Sequence, residues 1–190
     1  RAAAGPDVMR GEETQLMGAA LEHGVDGMVC LPGTHAKWAS VRDGAVDSFQ
    51  TFMTGEAYGL FARQSVLRHF VDETAPFAER AFRAAVADAL AGPADVWARL
   101  FQLRAGPLLI GVEGEGDVAA RLSGLLIGAE IAVAGASGPV TLLASGPLLE
   151  RYSAAFDVAG LDWRAIDAEN AARAGLLHAA RRIWLHGASA

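Results

Sequence analysis

The sequence predicts an α/β domain, and three observations predict it. Three apolar, strand-like runs joined by tight turns lie near the start; helical and strand-like segments alternate from Gly116 onward; and a block of short helical patterns separates the two regions. A chain of 190 residues, 52% of them hydrophobic, can bury a core of one domain with a helical insertion.

Taken in order, Arg10 through His23 has helix formers throughout, acidic residues in its first turn and Gly24 where a helix-ending glycine belongs, which predicts the first helix. Met28–Leu31, Ala36–Val41 and Ala45–Phe52 read as strands. Pro32-Gly33-Thr34-His35 joins the first two and Asp43-Gly44 the last two, giving a three-stranded meander. Glu56–Phe70, Phe77–Leu90 and Ala94–Arg104 carry mostly helical spacing and are separated by Pro76 and Gly92-Pro93. A helix from Gly116 to about Ala134 follows, then a strand Val140–Ser145, a turn at Gly146-Pro147 into a helix to Phe156, a strand near Trp163–Ile166, and a last helix from Asn170.

Composition excludes several classes. A formal charge of −6, with no clustered run of Lys and Arg, argues against a nucleic-acid partner. The apolar stretch Leu122–Leu149 is broken by Glu130 and by Gly-Ala-Ser-Gly-Pro at 135–139, so it reads as helix, turn and strand, and no membrane partner is expected. The single cysteine, Cys30, sits in an apolar strand and reads as a small core residue. One free thiol and a start, Arg1–Pro6, without a long apolar signal core point to the cytoplasm. The apolar excess suggests a homodimer.

Three segments could carry chemistry. Glu12 and Glu13 fall in the first turn of a helix whose dipole favours the anion, and a carboxylate there can take the proton of an attacking hydroxyl. Acidic residues at a helix start are also ordinary dipole partners. In the turn Pro32–His35, Gly33 lets the backbone approach a ligand and Thr34 adds a hydroxyl. His35 and Lys37 lie just beyond it, where a phosphate contact and a solvated strand face are both open readings. In Thr141–Leu148, a strand ends in the small residues Ser145 and Gly146 and passes into a helix whose first amides are unpaired. Arg10 could pair with a substrate carboxylate or stand exposed, and Glu56 either borders a cleft or is a charged first-turn residue.

Other motifs carry less. Gly114-Glu-Gly-Asp-Val-Ala119 fits a loose dinucleotide fingerprint, but Glu115 and Asp117 would repel a pyrophosphate. Gly135-Ala-Ser137-Gly is one residue short of a nucleophile elbow. Histidines at 23, 35, 69, 178 and 186 lack metal-ligand spacing, and the metal ligands are left unknown.

In this order the three segments resemble the sugar-kinase branch of the actin-like ATPases. Within it, the strings Val8-Met-Arg-Gly-Glu-Glu-Thr-Gln15, Leu31-Pro-Gly-Thr-His-Ala-Lys-Trp38, Thr51-Phe-Met-Thr-Gly-Glu56 and Leu122-Ser-Gly-Leu-Leu-Ile-Gly-Ala-Glu130 resemble the 2-dehydro-3-deoxygalactonokinase family. The resemblance implies a ribonuclease H-like (actin-like ATPase) domain, with residues 1–24 ending an N-terminal domain or forming an interdomain helix. Residues 25–190 would form the C-terminal domain, with a helical insertion at about 56–105. It implies transfer of the ATP γ-phosphate, with Mg²⁺, to the terminal (6-) hydroxyl of 2-dehydro-3-deoxy-D-galactonate.

A kinase for a related sugar acid such as the gluco epimer, or a non-catalytic nucleotide-binding module of the same fold, is the alternative. Glu12 falls where the branch places its base aspartate, with Glu13 the other candidate; Gly33 and Thr34 fall on the phosphate turn, Ser145 and Gly146 on the adenosine loop. Glu in place of Asp leaves open which carboxylate meets the hydroxyl. The first phosphate loop of the superfold, an Asp-x-Gly-Thr hairpin, is not found before Val8, so this chain is expected to be a C-terminal portion that does not turn over by itself.

Overall fold

A computed structural model describes residues 5–111, 114 and 116–185. Helix α1 (Glu12–His23) precedes strands β1 (Gly27–Leu31), β2 (Ala36–Arg42) and β3 (Ala45–Phe52). Helices α2 (Thr54–Gln64), α3 (Glu79–Ala91) and α4 (Val96–Leu109) follow, with short 3-10 turns at Val66–His69 and Pro93–Asp95. Then come α5 (Asp117–Ala134), β4 (Val140–Ala144), α6 (Gly146–Ala159), β5 (Trp163–Asp167) and α7 (Ala168–Leu185).

The five strands form one mixed sheet in the order β3-β2-β1-β4-β5, the α/β ribonuclease H-like arrangement that the sequence predicts. The β1–β2 and β2–β3 pairs are antiparallel, and β4 joins β1 and β5 in parallel. Asp43 (φ 52°) and Gly44 (φ 73°) close the β2–β3 hairpin in the left-handed conformation that a two-residue turn requires.

Period-two alternation sorts side chains onto the two faces. Val29, Leu31, Ala39, Val41, Leu143 and Ile166 pack with Leu16 and Ala19 of α1 and Ala171 of α7. Cys30, Trp38, Val140 and Leu142 face the other way, onto Phe82 and Val86 of α3, Ile127 and Ile131 of α5, and Tyr152 and Phe156 of α6. A third cluster, Leu67, Val96, Leu100, Leu103, Leu122 and Leu125, seats α4 and the turn after α2 on the outside of α3 and α5. Cys30 is wholly buried and its thiol is pushed up by burial, in keeping with a core residue.

Two helix crossings depend on missing side chains. A Cβ on Gly18 of α1 would stand 1.9 Å from the Ala171 carbonyl oxygen of α7, and one on Gly175 would stand 2.1 Å from that of Thr14. On α5, Cβ atoms at Gly124 and Gly128 would meet the carbonyl oxygens of Phe82 and Val86 on α3 at 2.5 and 2.8 Å. Backbone therefore lies on backbone at both crossings.

Several boundaries differ from the sequence reading. α1 begins at Glu12 because Gly11 (φ 116°) cannot continue a right-handed helix. α4 runs through Gly106-Pro107 to Leu109, since a proline in the last turn removes only one bond of the ladder. The first helix of the inserted block stops at Gln64, where Ser65 turns extended and its hydroxyl caps the 3-10 turn at Leu67. α7 starts at Ala168 because Asp167 Oδ1 accepts the Asn170 amide, an N-cap. The fingerprint at 114–119 follows α4 and not a strand, so it lacks the context of a dinucleotide site; Glu115 and His186 lie outside the described residues. Among the described residues no helix is long and apolar enough to cross a membrane.

Adding one methyl at Gly18 is expected to push α1 off α7 and lower stability by about 1–3 kcal/mol. Gly138→Ala, where nothing lies within 4 Å of the new Cβ, is the matched control and should be neutral or stabilising by about 0.5 kcal/mol. Chemical denaturation of the two variants against the parent checks both.

Candidate functional site

The strand directions gather the chemistry at one edge of the sheet. β1, β4 and β5 run in parallel and end there; β2 starts there and β3 ends there. Cys30 lies opposite Leu142, so continuing that register brings Gly33 level with Ser145 on the neighbouring strand. After β1 the chain turns to one side through a hairpin, whereas β4 lies on the other side. The carboxyl ends of β1 and β4 thus flank a topological switch point, where open α/β sheets hold ligands.

At that edge Glu12 reaches from the start of α1 to β2. Its Oε1 is 2.7 Å from Lys37 Nζ and its Oε2 accepts the Arg10 amide at 2.7 Å. Lys37 also donates to the His35 carbonyl at 3.0 Å and is only 4% exposed, so of the two readings of this residue the solvated one is excluded. Burial by itself would raise the Glu12 carboxyl, but the Lys37 ammonium and the Arg10 amide outweigh it and hold the group below its ordinary value. Glu12 is therefore anionic at neutral pH. Glu13, by contrast, is exposed and its Oε2 accepts the Gly11 amide at 2.8 Å. Arg10 is exposed, and the contact it makes with Glu12 is through its backbone.

Beside this pair Asp7 clamps the end of β3. Its carboxylate accepts the Thr51 amide at 2.8 Å, the Thr51 hydroxyl at 2.6 Å and the Val8 amide at 2.7 Å. Thr51 lies opposite Lys37 in the ladder. Burial pushes Asp7 up, the Thr51 hydroxyl and the amides pull it down harder, and Lys37 adds to the net lowering.

The turn after β1 is gripped by the start of α2. The Glu56 amide donates to the Thr34 carbonyl at 2.9 Å, and Glu56 Oε2 is 2.5 Å from His35 Nε2. A Cβ on Gly55 would be 2.5 Å from the Gly33 carbonyl oxygen and 2.8 Å from Thr34 Cα, so only glycine permits this approach. With the peptides trans, the amides of Thr34 and His35 point opposite to the Gly33 and Thr34 carbonyls, away from α2.

On the β4 side, Ser145 Oγ donates to Asp167 Oδ2 at 2.8 Å and accepts the Ala168 amide at 3.1 Å. The Asn170 amide first, and then the Ser145 hydroxyl, hold Asp167 below its ordinary value. Gly146 opens α6 at φ 59°. Ser145 thus ties the ends of β4 and β5 together, and its backbone and that of Gly146 form the turn at the edge.

The structure links Glu12, Lys37, His35, Thr34, Gly33 and Glu56 in one connected patch, and sets Ser145 and Gly146 across the switch point. Sequence reasoning missed Asp7, Thr51 and a buried carboxylate, Glu130, that Trp38, Tyr152 and Thr54 surround. Glu130 carries a readable signal: a lone acid inside an apolar helical run must find donors in the core.

A mixed sheet of this order, an antiparallel meander β1–β3 extended in parallel by β4 and β5, places the chain among α/β domains of the ribonuclease H-like class. Comparison with known proteins narrows this: residues 1–179 match the model of the 2-keto-3-deoxy-galactonokinase family, and the chain belongs to that family. It is 48% identical over 186 residues to a Rhizobium meliloti (strain 1021) protein that carries the 2-dehydro-3-deoxygalactonokinase name, covering 94% of this chain and 60% of the relative. It is 36% identical over 182 residues to the 2-dehydro-3-deoxygalactonokinase of Escherichia coli (strain K12), covering 93% of this chain and 61% of the relative. A crystal structure from Sinorhizobium meliloti, of a protein assigned the same name, superposes with a TM-score of 0.89 at 50% identity and covers 94% of this chain and 60% of that one. The chain thus spans about three fifths of the length of the relatives it matches.

The lowered values of Glu12, Asp7 and Asp167 set the sign of their own contribution to the acid response, opposite to that of Glu130, whose carboxyl burial raises. Their stabilisation is complete above the unfolded carboxylate range and is lost as pH falls through their folded values. The part of the stability that these three carry should therefore fall with acid from about pH 4.5 downward. Asp7→Asn, measured by urea unfolding across that range, should flatten the fall.

Proposed function

We propose that this chain serves ATP-dependent phosphorylation of the 6-hydroxyl of 2-dehydro-3-deoxy-D-galactonate in galactonate breakdown, with Glu12 as the base. The observation that supports the reading most is the Glu12 carboxylate, kept anionic beside the Gly33–Thr34 turn by Lys37 at 2.7 Å. In phosphoryl transfer the protein mainly positions groups and balances charge, and a fixed carboxylate can orient the attacking hydroxyl and receive its proton. Glu13 is the weaker candidate, because its carboxylate is turned to the Gly11 amide and to solvent.

Lys37 has a second consequence. A bare carboxylate would repel both the sugar acid and the triphosphate, and the adjacent ammonium cancels that charge at close range. The amides of Thr34 and His35, turned away from α2, supply donors for phosphate oxygens. The turn at Ser145 and Gly146, facing them across the switch point, would border the adenosine. Arg10, exposed at the start of α1, remains free to reach the substrate carboxylate.

No group of three His, Cys, Asp or Glu side chains among the described residues is placed to hold a metal ion. Mg²⁺ carried by the triphosphate would keep most of its waters and be held chiefly by phosphate oxygens. The ion would neutralise phosphate charge. We also propose that the 190 residues alone do not turn over, because the Asp-x-Gly-Thr loop expected of the superfold is not among them.

Coupled ATP turnover of the whole protein with 2-dehydro-3-deoxygalactonate tests the reading. Glu12→Gln should lower kcat about 10²- to 10⁴-fold with nucleotide binding intact, and Glu13→Gln should cost far less. Nucleotide binding without turnover on this substrate in the parent would move the assignment to another sugar acid or a non-catalytic module. Lys37→Met should shift the acid limb of the kcat/KM profile to higher pH, since Glu12 loses the cation that lowers it.

A further inference from the structure

Glu130 is a carboxylate inside the core, 3% exposed, on α5. Its Oε1 accepts Trp38 Nε1 of β2 at 2.8 Å; its Oε2 accepts the Tyr152 hydroxyl of α6 at 2.8 Å and the Thr54 hydroxyl of α2. Every donor comes from a different element, so one side chain ties four of them together. Burial dominates its titration and raises the carboxyl, and it keeps the Tyr152 hydroxyl protonated as a donor. A hydrophobic residue of the same size would fill this space at lower desolvation cost. The carboxylate is therefore explained by what it holds in place.

What it holds is the clamp on the phosphate turn. Thr54 is the first residue of α2. The next two residues make the clamp: Gly55 lies against the Gly33 carbonyl and Thr34 Cα, and the Glu56 amide donates to the Thr34 carbonyl. On β2, Trp38 follows Lys37, the partner of Glu12. We propose that Glu130 is a positioning residue for phosphoryl transfer: through Thr54 it fixes the start of α2, and with it the Gly33–Thr34 turn, in the register that nucleotide phosphates require. This rests on the kinase reading above and adds to it a residue that touches neither substrate nor nucleotide.

The test compares donors to one carboxylate oxygen that differ in where they lead. In the whole protein, Thr54→Val and Glu130→Gln should lower kcat/KM for ATP about 10- to 100-fold and weaken ADP binding in calorimetry, the cost of a turn displaced by about an ångström. Thr54→Ser, which keeps the hydroxyl, should restore both. Tyr152→Phe removes the other donor to the same oxygen, one that comes from the body of α6 and not from the α2 clamp; it should lower Tm by about as much as Thr54→Val, a few degrees, and leave kcat/KM near the parent. Parental kcat/KM and ADP affinity in Thr54→Val, or an equal loss in Tyr152→Phe, would overturn the proposal. ADP affinity separates this from the substrate assignment: the same ranking of variants in a parent that phosphorylates no galactonate derivative sinks only that assignment. A parent that binds no ADP sinks both.

Discussion

The candidate site depends on the parallel pairing of β1 with β4, where Met28, Val29 and Cys30 meet Val140, Thr141 and Leu142. The chain between these strands runs through every helix from α2 to α5, so the pairing closes a long loop at an entropic cost that grows only logarithmically with length. Burial offsets that cost, since Val29, Cys30 and Leu142 are wholly out of solvent. Their amides and carbonyls have no water to turn to, so the ladder must be complete. A slip of one residue would also send Val29 and Cys30 to the wrong faces. Register fixed in this way sets the turn after β1 level with the turn after β4.

β2 then distributes charge to both sides of the sheet. Lys37 and Trp38 are neighbours and point to opposite faces; the first takes Glu12 on the α1 side and the second takes Glu130 on the α5 side. Each acid is desolvated and each is compensated differently. Glu12 has a full cation and remains ionised, while Glu130 has only neutral donors and is pushed toward its protonated form. The two carboxylates therefore have distinct chemical characters although only one strand separates them.

Much of the fold could be read from the residues. The three meander strands, both hairpin turns and the alternation after α5 follow from period and turn chemistry, and β3 matches its expected bounds of Ala45–Phe52. Helix ends were less legible: the expected helix ends at Arg104 although α4 continues through Gly106-Pro107 to Leu109, because neighbouring packing on Leu103 and Val118 outweighs one lost bond. At the site, Glu12, Gly33 and Thr34 stood out because they are close in sequence and chemically marked. Thr54 did not, and Glu130 signalled only that an acid in an apolar helix needs donors in the core, because the partners of both lie far along the chain. Ser145 was legible as a small residue at a strand end, but its bond to Asp167 requires knowing that β4 and β5 are neighbours.

The crossing of α1 and α7 at Gly18 and Gly175 has a mechanical meaning. Helices separated by a layer of side chains can slide as rotamers adjust, whereas two backbones in direct contact have no such lubricating layer. α1, which carries Glu12 at its first position, is in effect keyed to α7. Any displacement of α1, and of Glu12 with it, would therefore have to carry α7 along.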